Sequence, residues 1–586
     1  MSSIHAATIR DRPYGRLRVS YHRAMPAGSA RTLDAQVAVI GAGPVGLTLA
    51  GRLAQHGVRT VLLEQASRHA GQGSRALCMQ RETLEIWARL GVGQQVAERG
   101  VEWDVGRTYF RGRELFSVRL PGRAGDHFPA FVNISQTEVE QLLLGGLAHL
   151  QRLDLRWDHR LTGIAQDGDG VTLTCQTAEG SRRLRVEHLV GADGAHSTVR
   201  HLLGMGFPGH SHADLFLICD VRARLPFPRE RRFHFDPPWN PGRQVLVHPQ
   251  PDATWRIDWQ VPPETDVDAE QRSGALDRRI RQVIGEATEY ELAWVTAYRF
   301  HQRLAPRFRV GRVMLAGDAA HLMSPFGARG LNSGVADAEN LGWKLALVLA
   351  GHAPDRLLES YDAERRAAAR ENLAVTDATM RFMVPHGPLR RLARDLVLRG
   401  SLRFPALRRR VNSGRLAQPY AYAGSPIIQA GPAEPQRPAH GAVAPDAACR
   451  VVDGDGQVAR LRELFGHEFV ALLVFEDRDE LAARVAVRAA GLAWPAPCGV
   501  AVVGPGRRLH GVTVLEDVAG DLVRIYTASG PRAWLIRPDG HLAASLDLPT
   551  PQAVEGLPGL QAMAIGAATV RGIVPGPRAS TVSAAQ

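Results

Sequence analysis

The sequence predicts a mixed α/β protein that also contains a large antiparallel sheet. Three observations support this fold class. A strand–helix–strand pattern runs from Gln36 to Leu63, and alternating apolar and polar residues recur between 207 and 301. A second strand–helix–strand pattern lies near the C-terminus, after a segment rich in Pro, Ala and Gly. A chain of 586 residues is long enough for about two to four domains.

The first pattern, DAQVAVIGAGPVGLTLAGRLAQHGVRTVLLEQ, has the features of a dinucleotide-binding βαβ unit. A strand ending at Ile40 enters a helix through a turn that contains Gly41, Gly43 and Gly46. These glycines permit a tight turn, close approach of the backbone to a pyrophosphate, and close packing of helix on strand. Glu64 follows the second strand, where a carboxylate accepts hydrogen bonds from ribose hydroxyls. The pattern does not distinguish NAD from FAD.

Two later aspartates also follow predicted strands. Asp193 lies in HLVGADGAHSTVRHLLG, and Asp318 lies in GRVMLAGDAAH. Either aspartate alone is compatible with a turn or a helix cap. Together with the first glycine motif, they favour a site in which carboxylates hold a sugar-like chain.

These three motifs, in this order, resemble those of the single-component FAD-dependent aromatic-ring hydroxylases, the class A flavoprotein monooxygenases. The resemblance extends over roughly residues 37–400 and is strongest to the 3-(3-hydroxyphenyl)propionate hydroxylase and phenol hydroxylase branch. It implies a p-hydroxybenzoate hydroxylase-like fold. It assigns the ADP half of FAD to the first motif, FAD and the pyridine nucleotide to Asp193, and the flavin ribityl chain to Asp318.

Two further segments carry the same resemblance. SRALCMQRETLEIWARLGV resembles a family segment whose arginine, here Arg75, reaches the FAD phosphates. NISQTEVEQLLL resembles a helix that places Gln136 near the flavin.

The segment LAGDAAHLMSPFGARGLNSG combines several glycines with the start of a helix predicted near Leu331 and ending at Gly351. A glycine-rich entry exposes backbone N–H groups at the positive end of the helix dipole. By resemblance, Gly330, Leu331 and Asn332 contact the negatively charged part of the reduced flavin, and Pro325 and Arg329 line the pocket where oxygen meets the flavin. No catalytic residue is assigned.

The function that the resemblance implies is hydroxylation of a phenolic ring, with FAD as cofactor, NADPH or NADH as co-substrate, and a C4a-hydroperoxyflavin as oxidant. The expected substrate is a phenolic acid similar to 3-hydroxyphenylpropionate. Two enzymatic alternatives stay open: a larger polyketide- or antibiotic-type aromatic substrate, or a flavin reductase or dehydrogenase that inserts no oxygen. A flavin-binding protein without catalysis is a third alternative, disfavoured by Asp193, Asp318 and Pro325.

Residues 207–301 are expected to form the sheet that carries the substrate pocket. A phenol that must ionise calls for a proton acceptor, and a carboxylate on the substrate calls for an arginine. The candidate proton relays are His234, His248, Asp258 and Tyr298, and the candidate carboxylate clamps are Arg232, Arg243 and Arg256. Each of them, taken singly, is more often a surface or packing side chain.

The predicted domain organisation is discontinuous. The segments are an N-terminal arm (1–34), an FAD-binding domain (35–206 and 302–400), a substrate-binding sheet domain (207–301), a linker (401–447), a thioredoxin-like domain (448–570) and a disordered tail (571–586). Cys449 and Cys498 do not form a CxxC pair, so we expect the thioredoxin-like domain to support interactions or a homodimer rather than redox chemistry.

The charge and composition of the chain limit the kinds of partner that the protein is expected to have. The net charge of +12 comes almost entirely from arginines spread along the chain, since Lys344 is the only lysine. This distribution argues against a nucleic-acid surface. The 5 scattered cysteines argue against a disulfide framework or a metal site. With no apolar run long enough to cross a bilayer and no secretory signal, a cytoplasmic location is expected.

Overall fold

The computed structural model describes residues 33–69, 76–120, 127–385, 387–404, 406–407, 419–431, 437–452, 458–476, 480–504, 506–527, 530–548 and 550–567. The described residues divide into two compact units. The larger unit contains those within Ala24–Leu349 and Leu358–Tyr420, and the smaller unit those within Ala350–Leu357 and Ala421–Gln586.

The larger unit is built on an eight-stranded sheet with parallel strands at its centre. Its strands are β1 (Ala35–Ile40), β2 (Thr60–Leu63), β8 (Leu153–Arg156), β9 (Arg160–Gln166), β10 (Val171–Thr177), β11 (Gly180–Gly191), β17 (Arg309–Val310) and β18 (Val313–Leu315). β1 pairs in parallel with β2 on one side and β11 on the other, and β11 pairs in parallel with β18. The predicted βαβ unit is confirmed, because α1 (Pro44–Gln55) connects β1 to β2. The strand ends that precede Gly41, Asp193 and Asp318 therefore lie side by side.

The other helices of this unit are α2 (Arg81–Arg89), α3 (Gly93–Arg99), α4 (Gln136–Leu147), α5 (Thr198–Leu202), α6 (Val267–Arg272), α7 (Ala275–Ile284), α8 (Gly330–Ala350), α9 (Glu359–Met383) and α10 (Pro388–Gly400). The helix predicted near Leu331 is confirmed as α8, and it ends just before Gly351. Most of α8 is buried, which explains its run of apolar residues.

A second eight-stranded sheet carries the predicted antiparallel strands. Its strands are β5 (Val105–Phe110), β6 (Arg113–Arg119), β12 (Gly209–Arg222), β13 (Arg231–Phe235), β14 (Gln244–Pro249), β15 (Thr254–Val261), β16 (Glu291–Leu304) and β19 (His321–Leu322). The hairpin β5–β6 and the short β19 extend it beyond residues 207–301. One face packs on α7 through an apolar cluster that includes Leu217, Ile257 and Ile280. The opposite face, called the free face below because α7 leaves it uncovered, packs only in part against α9 and α10. A small third sheet contains β3 (Cys78–Gln80), β4 (Val101–Glu102) and β7 (Phe131–Asn133).

The smaller unit contains a seven-stranded sheet. Its elements are β20 (Ala448–Val451), β21 (Val458–Arg460), β22 (Phe469–Val474), α11 (Glu480–Ala490), β23 (Cys498–Val503), β24 (Thr513–Asp517), α12 (Asp521–Tyr526), β25 (Arg532–Ile536), β26 (Leu542–Asp547) and α13 (Leu557–Ala564). The strand–helix–strand and the following hairpin match the pattern seen in the sequence. Cys449 and Cys498 are free thiols, and burial raises the pKa of Cys449 to about 12. The domain boundaries and the thioredoxin-like character remain predictions.

The described residues also bear on possible contacts with a membrane or a metal ion. None of their helices combines the length and apolar character needed to cross a bilayer. They also contain no group of three or more His, Cys, Asp or Glu side chains placed to hold a metal ion.

Candidate cofactor and substrate site

The glycine turn between β1 and α1 contains two glycines that the protein itself requires and one that it does not. Gly41 has a φ of +101°, and a Cβ there would lie 2.6 Å from the carbonyl oxygen of Ala192. A Cβ on Gly46 would lie 1.9 Å from the carbonyl oxygen of Gly41. In contrast, a Cβ on Gly43 meets no atom within 4 Å. Gly43 is also the N-cap of α1 and gives no side-chain cap, so the helix start faces open space suited to a pyrophosphate.

Glu64 is held beside this turn. Its Oε2 accepts a hydrogen bond from the Ala42 N–H at 2.8 Å, and its Oε1 accepts one from the Ala66 N–H at 3.0 Å. A carboxylate has about four acceptor positions, so these two bonds leave capacity for ribose hydroxyls.

Gln136 begins α4 and fixes the chain next to Ala76. Its Oε1 accepts from the Ala76 N–H at 3.3 Å, and its Nε2 donates to Glu140 at 2.8 Å. Arg75, the residue expected to reach the phosphates, lies outside the described residues.

Asp193 holds its own loop in place. Its carboxylate accepts hydrogen bonds from Ser197 Oγ at 2.6 Å and from the Val199 N–H at 3.0 Å. Burial raises the pKa of Asp193, while these hydrogen bonds oppose the rise. Arg200, which sequence reasoning missed, donates to the carbonyl of Ala319 at 2.8 Å. The Asp193 loop and the Asp318 turn are therefore linked through one arginine.

The turn that carries Asp318 is anchored by a buried carboxylate on α8. The Gly317 N–H donates to Asp337 Oδ2 at 2.9 Å, and His321 Nε2 lies 2.7 Å from the same oxygen. Arg365 Nε donates to Asp337 Oδ1 at 2.6 Å. Burial opposes ionisation of Asp337, but the charges of His321 and Arg365 keep its pKa below the usual range. Asp318 itself is half-buried, in the middle of the short helical turn Gly317–Ala319.

The start of α8 presents backbone rather than side chains. A Cβ on Gly330 meets nothing within 4 Å. The Asn332 side chain accepts from the Gln80 N–H at 3.0 Å and Thr83 Oγ1 at 2.7 Å, and donates to the carbonyls of Cys78 and Ala328 at 2.9 and 2.6 Å. Its amide is thus occupied by the protein, which leaves the backbone of residues 330–332 as the candidate contact for a flavin.

We expect Asn332→Ala to destabilise the protein by about 2–4 kcal/mol, because four polar groups, two of them buried and two partly buried, lose their partner at once. The measurement is the free energy of unfolding of the protein stripped of flavin, determined in urea. A change below about 0.5 kcal/mol would contradict the assigned role.

A cavity lies between the free face of the second sheet, the 325–329 loop and the end of α9. It encloses about 850 Å³, its open mouth included. Pro325 and Arg329 line it, as expected from the sequence, and Arg329 donates a hydrogen bond to Asn372. The aromatic residues of the wall are Trp103, Phe131, Phe233, Phe235, Phe326 and Phe382. Such walls suit an aromatic ring and exclude water.

Arg231 contributes a cation to this cavity. Its Nε is buried with no hydrogen-bond partner, and within the described part of the chain Arg231 has no ion pair. Its Cζ lies 6.0 Å from the ring centroids of both Trp103 and Phe233. Burial lowers the pKa of the guanidinium, with Cys78 opposing the shift, but arginine remains charged in proteins. An unpaired buried charge is costly, and an anionic ligand would remove that cost.

The alternation of side chains along β13 places Arg231 in the cavity and the predicted clamp Arg232 outside it. Arg231, Phe233 and Phe235 line the cavity, whereas Arg232 pairs with Glu230 at 3.1 Å and stacks on Phe227. Arg231 precedes Phe233 by two positions and Phe235 by four, so the three side chains share one face of the strand. This spacing is the signal that could have identified Arg231. Of the other predicted clamps, Arg256 is paired with Asp220 at 2.8 Å, and Arg243 is not among the cavity-lining residues.

Among the candidate proton relays, His248 is the one that lines the cavity. It is buried, and its Nδ1 has no hydrogen-bond partner among the described residues. His234 stacks on Tyr109, with ring centroids 4.5 Å apart, and neither it nor Tyr298 lines the cavity. Asp258 lies on the neighbouring strand.

Comparison with known proteins agrees with this arrangement. The model of the FAD binding domain family matches residues 34–376, and the chain belongs to that family. It is 32% identical over 411 residues to the 3-(3-hydroxy-phenyl)propionate/3-hydroxycinnamic acid hydroxylase of Mycolicibacterium smegmatis. The aligned region covers 69% of this chain and 71% of the relative.

Solved structures show the same architecture. The flavin-dependent monooxygenase PieE, crystallised with FAD and substrate, superposes with a TM-score of 0.76 at 23% identity, covering 91% of this chain and 100% of PieE. The anhydrotetracycline hydroxylase OxyS from Streptomyces rimosus superposes with a TM-score of 0.67 at 28% identity, covering 91% of this chain and 99% of OxyS.

The prediction of a p-hydroxybenzoate hydroxylase-like fold is confirmed. The protein is an oxidoreductase, an FAD-dependent monooxygenase of the aromatic hydroxylase class, with FAD as cofactor and NADPH or NADH as co-substrate.

Proposed function

We propose that the protein hydroxylates the ring of a phenolic acid similar to 3-hydroxyphenylpropionate. The observation that carries this proposal is Arg231, a guanidinium that has no ion pair among the described residues and lies in a cavity walled by aromatic side chains. The cavity suits a ring, and the guanidinium suits a carboxylate, which arginine binds through charge-assisted hydrogen bonds. The name of the Mycolicibacterium smegmatis relative describes a substrate of this kind.

Several residues of the site would contact the cofactor directly. Gly43 and the start of α1 would take the pyrophosphate, Glu64 the ribose and Asp318 the ribityl chain. The backbone of residues 330–332 would meet the negative part of the flavin. When bound, FAD accepts a hydride from NADPH or NADH and activates dioxygen for transfer to the ring.

The chain's own task at the ring is positioning and exclusion of water. Arg231 would fix one end of the substrate through its carboxylate, and the phenylalanine walls would hold the ring in the opening beside Pro325. Five residues within 207–301 line this wall, namely Arg231, Phe233, Phe235, Leu246 and His248.

A second candidate is the same chemistry on a larger polycyclic aromatic compound. Two observations favour it: the cavity is open at its mouth, and OxyS is named as an anhydrotetracycline hydroxylase. A polycyclic substrate without a carboxylate would leave Arg231 unpaired, which is why we place it second.

The test compares an acid with its neutral amide, which lacks the charge, and with a larger tetracyclic phenol. The purified flavoprotein is given NADPH or NADH with 3-(3-hydroxyphenyl)propionate, its neutral amide, or a tetracyclic phenol, while hydrogen peroxide is followed. We expect the acid to accelerate oxidation of the nicotinamide with little peroxide, and the amide to act poorly. Acceleration by the tetracyclic phenol alone would favour the second candidate. A cytoplasmic location and a homodimer remain predictions.

A further inference from the structure

The free face of the second sheet carries a row of polar side chains next to the cavity. Leu246 on β14 is paired with Phe233 on one side and Asp258 on the other. His248 is paired with Arg256. Residues directly opposed in a sheet share a face, so Asp258 and His248 lie on the face that bears the cavity-lining Leu246 and Phe233.

Two members of this row satisfy each other. Arg256 donates to both oxygens of Asp220 at 2.8 Å, and Gln250 donates to Asp220 Oδ1 at 2.7 Å. Cys78 also lines the cavity, but burial raises the pKa of its thiol to about 12 against the opposing charges of Arg231 and Arg256. Cys78 therefore stays protonated at neutral pH and takes up no proton.

Asp258 and His248 each retain an unused polar atom. Oδ1 of Asp258 is buried without a hydrogen-bond partner, and so is Nδ1 of His248, within the described part of the chain. Such groups are rare in folded proteins and call for an explanation. The two side chains are diagonal neighbours on adjacent strands, with Cα positions about 7–8 Å apart.

We propose that Asp258 is the proton acceptor that ionises the substrate's phenol, and that His248 links the two. In this step the phenolic O–H bond breaks, its proton passes to one nitrogen of neutral His248, and the proton on the other nitrogen passes to the Asp258 carboxylate. The products are a phenolate, neutral His248 and a protonated Asp258. A phenolate is a stronger nucleophile than a phenol, so the transfer prepares the ring for oxygen. This inference rests on the proposed function.

The electrostatics of the row agree with these roles. Burial raises the pKa of Asp258 to about 7; Arg256 opposes this rise and Asp220 adds to it. Burial, together with Arg231 and Arg256, holds the pKa of His248 well below its ordinary value, so the imidazole is neutral. An acceptor whose pKa lies near the working pH is suited to general base catalysis.

The direct test is the pH dependence of the hydroxylation rate at saturating substrate. In the wild type, the rate is expected to rise as pH passes about 7, because Asp258 accepts a proton only when it is ionised. In Asp258→Asn this rise is expected to be lost, and in His248→Gln the rate is expected to be low throughout. Asp214→Asn, in which a half-buried carboxylate of the same sheet that accepts a hydrogen bond from Gln260 becomes a neutral amide, is the control and should match the wild type.

A second readout uses the substrate's own acidity. Loss of a general base lowers the rate by about 100-fold. We expect this loss in both variants for an ordinary phenolic acid, and recovery for a ring-fluorinated one that ionises unaided at pH 8. A rate in Asp258→Asn that still rises as pH passes about 7 would overturn the inference even if the wild type hydroxylates phenolic acids. Failure of the wild type to hydroxylate any phenolic acid would instead overturn the proposed function.

Stability gives a third readout that needs no cofactor. The folded pKa of Asp258 lies above its ordinary value of 3.8, so the folded state binds more protons than the unfolded state between these two values. Asp258 therefore lowers stability as pH rises from about 4 to about 7. The asparagine variant should gain stability relative to the wild type across this range, and a constant difference would argue against a buried titrating carboxylate.

Discussion

Arg231→Met is expected to lower kcat/KM for the carboxylate-bearing substrate by about 10- to 100-fold, mainly through KM. Hydrogen bonds to a charged partner contribute about 1.5–3 kcal/mol each, and about 1.4 kcal/mol corresponds to a factor of ten. The variant should not lose stability, because methionine removes a buried charge that has no partner in the described chain. We expect its melting temperature to stay equal to that of the wild type or to rise.

The neighbouring residue supplies the matched control. Arg232 is one position away but is paired with Glu230 and stacked on Phe227, away from the cavity. Arg232→Met should leave the preference for acid over amide unchanged. If Arg231→Met lowers the rates of the acid and the amide by the same factor, Arg231 does not bind the carboxylate.

The glycine turn gives the second large effect. Gly43→Val is expected to fold normally yet bind FAD at least about 100-fold more weakly, since its new side chain fills open space where the pyrophosphate would lie. Gly46→Val is expected to disrupt the turn itself, because its Cβ would lie 1.9 Å from the Gly41 carbonyl oxygen. Flavin content and the circular dichroism melt of the apoprotein separate the two effects.

This pair of variants distinguishes a ligand site from a packing site on one loop. Wild-type flavin affinity in folded Gly43→Val would show that the space in front of α1 does not receive the cofactor. A stable, flavin-loaded Gly46→Val would show that the turn can open further than its contacts indicate.

The parts of the fold that the sequence predicts well depend on local patterns. The βαβ unit at β1, α1 and β2 follows from adjacent apolar runs and a glycine turn, and α8 follows from helical spacing after Gly330. The alternation within β14 and β15 likewise predicts strands, because one sheet face packs on α7 and the other does not.

The parts that escaped prediction depend on contacts between distant residues. Asp337 holds Gly317 by a hydrogen bond, and His321 and Arg365 contact the same carboxylate. The residue farthest from Asp337 in the sequence is Arg365, at 28 positions. Arg231 and Arg232 are chemically identical in the sequence, and only the orientation of β13 decides which of them faces the cavity. Long-range pairing of strands therefore set the site's electrostatics.

The measurement that tests the central claim most directly is the fate of isotopically labelled dioxygen. The purified FAD enzyme is given NADPH or NADH and a phenolic acid under labelled dioxygen, and the product is weighed by mass spectrometry. We predict a dihydroxylated acid that carries one labelled oxygen atom on the ring. Nicotinamide oxidation that yields only hydrogen peroxide, or a product that carries no label, would contradict the assignment and favour a flavin reductase or dehydrogenase.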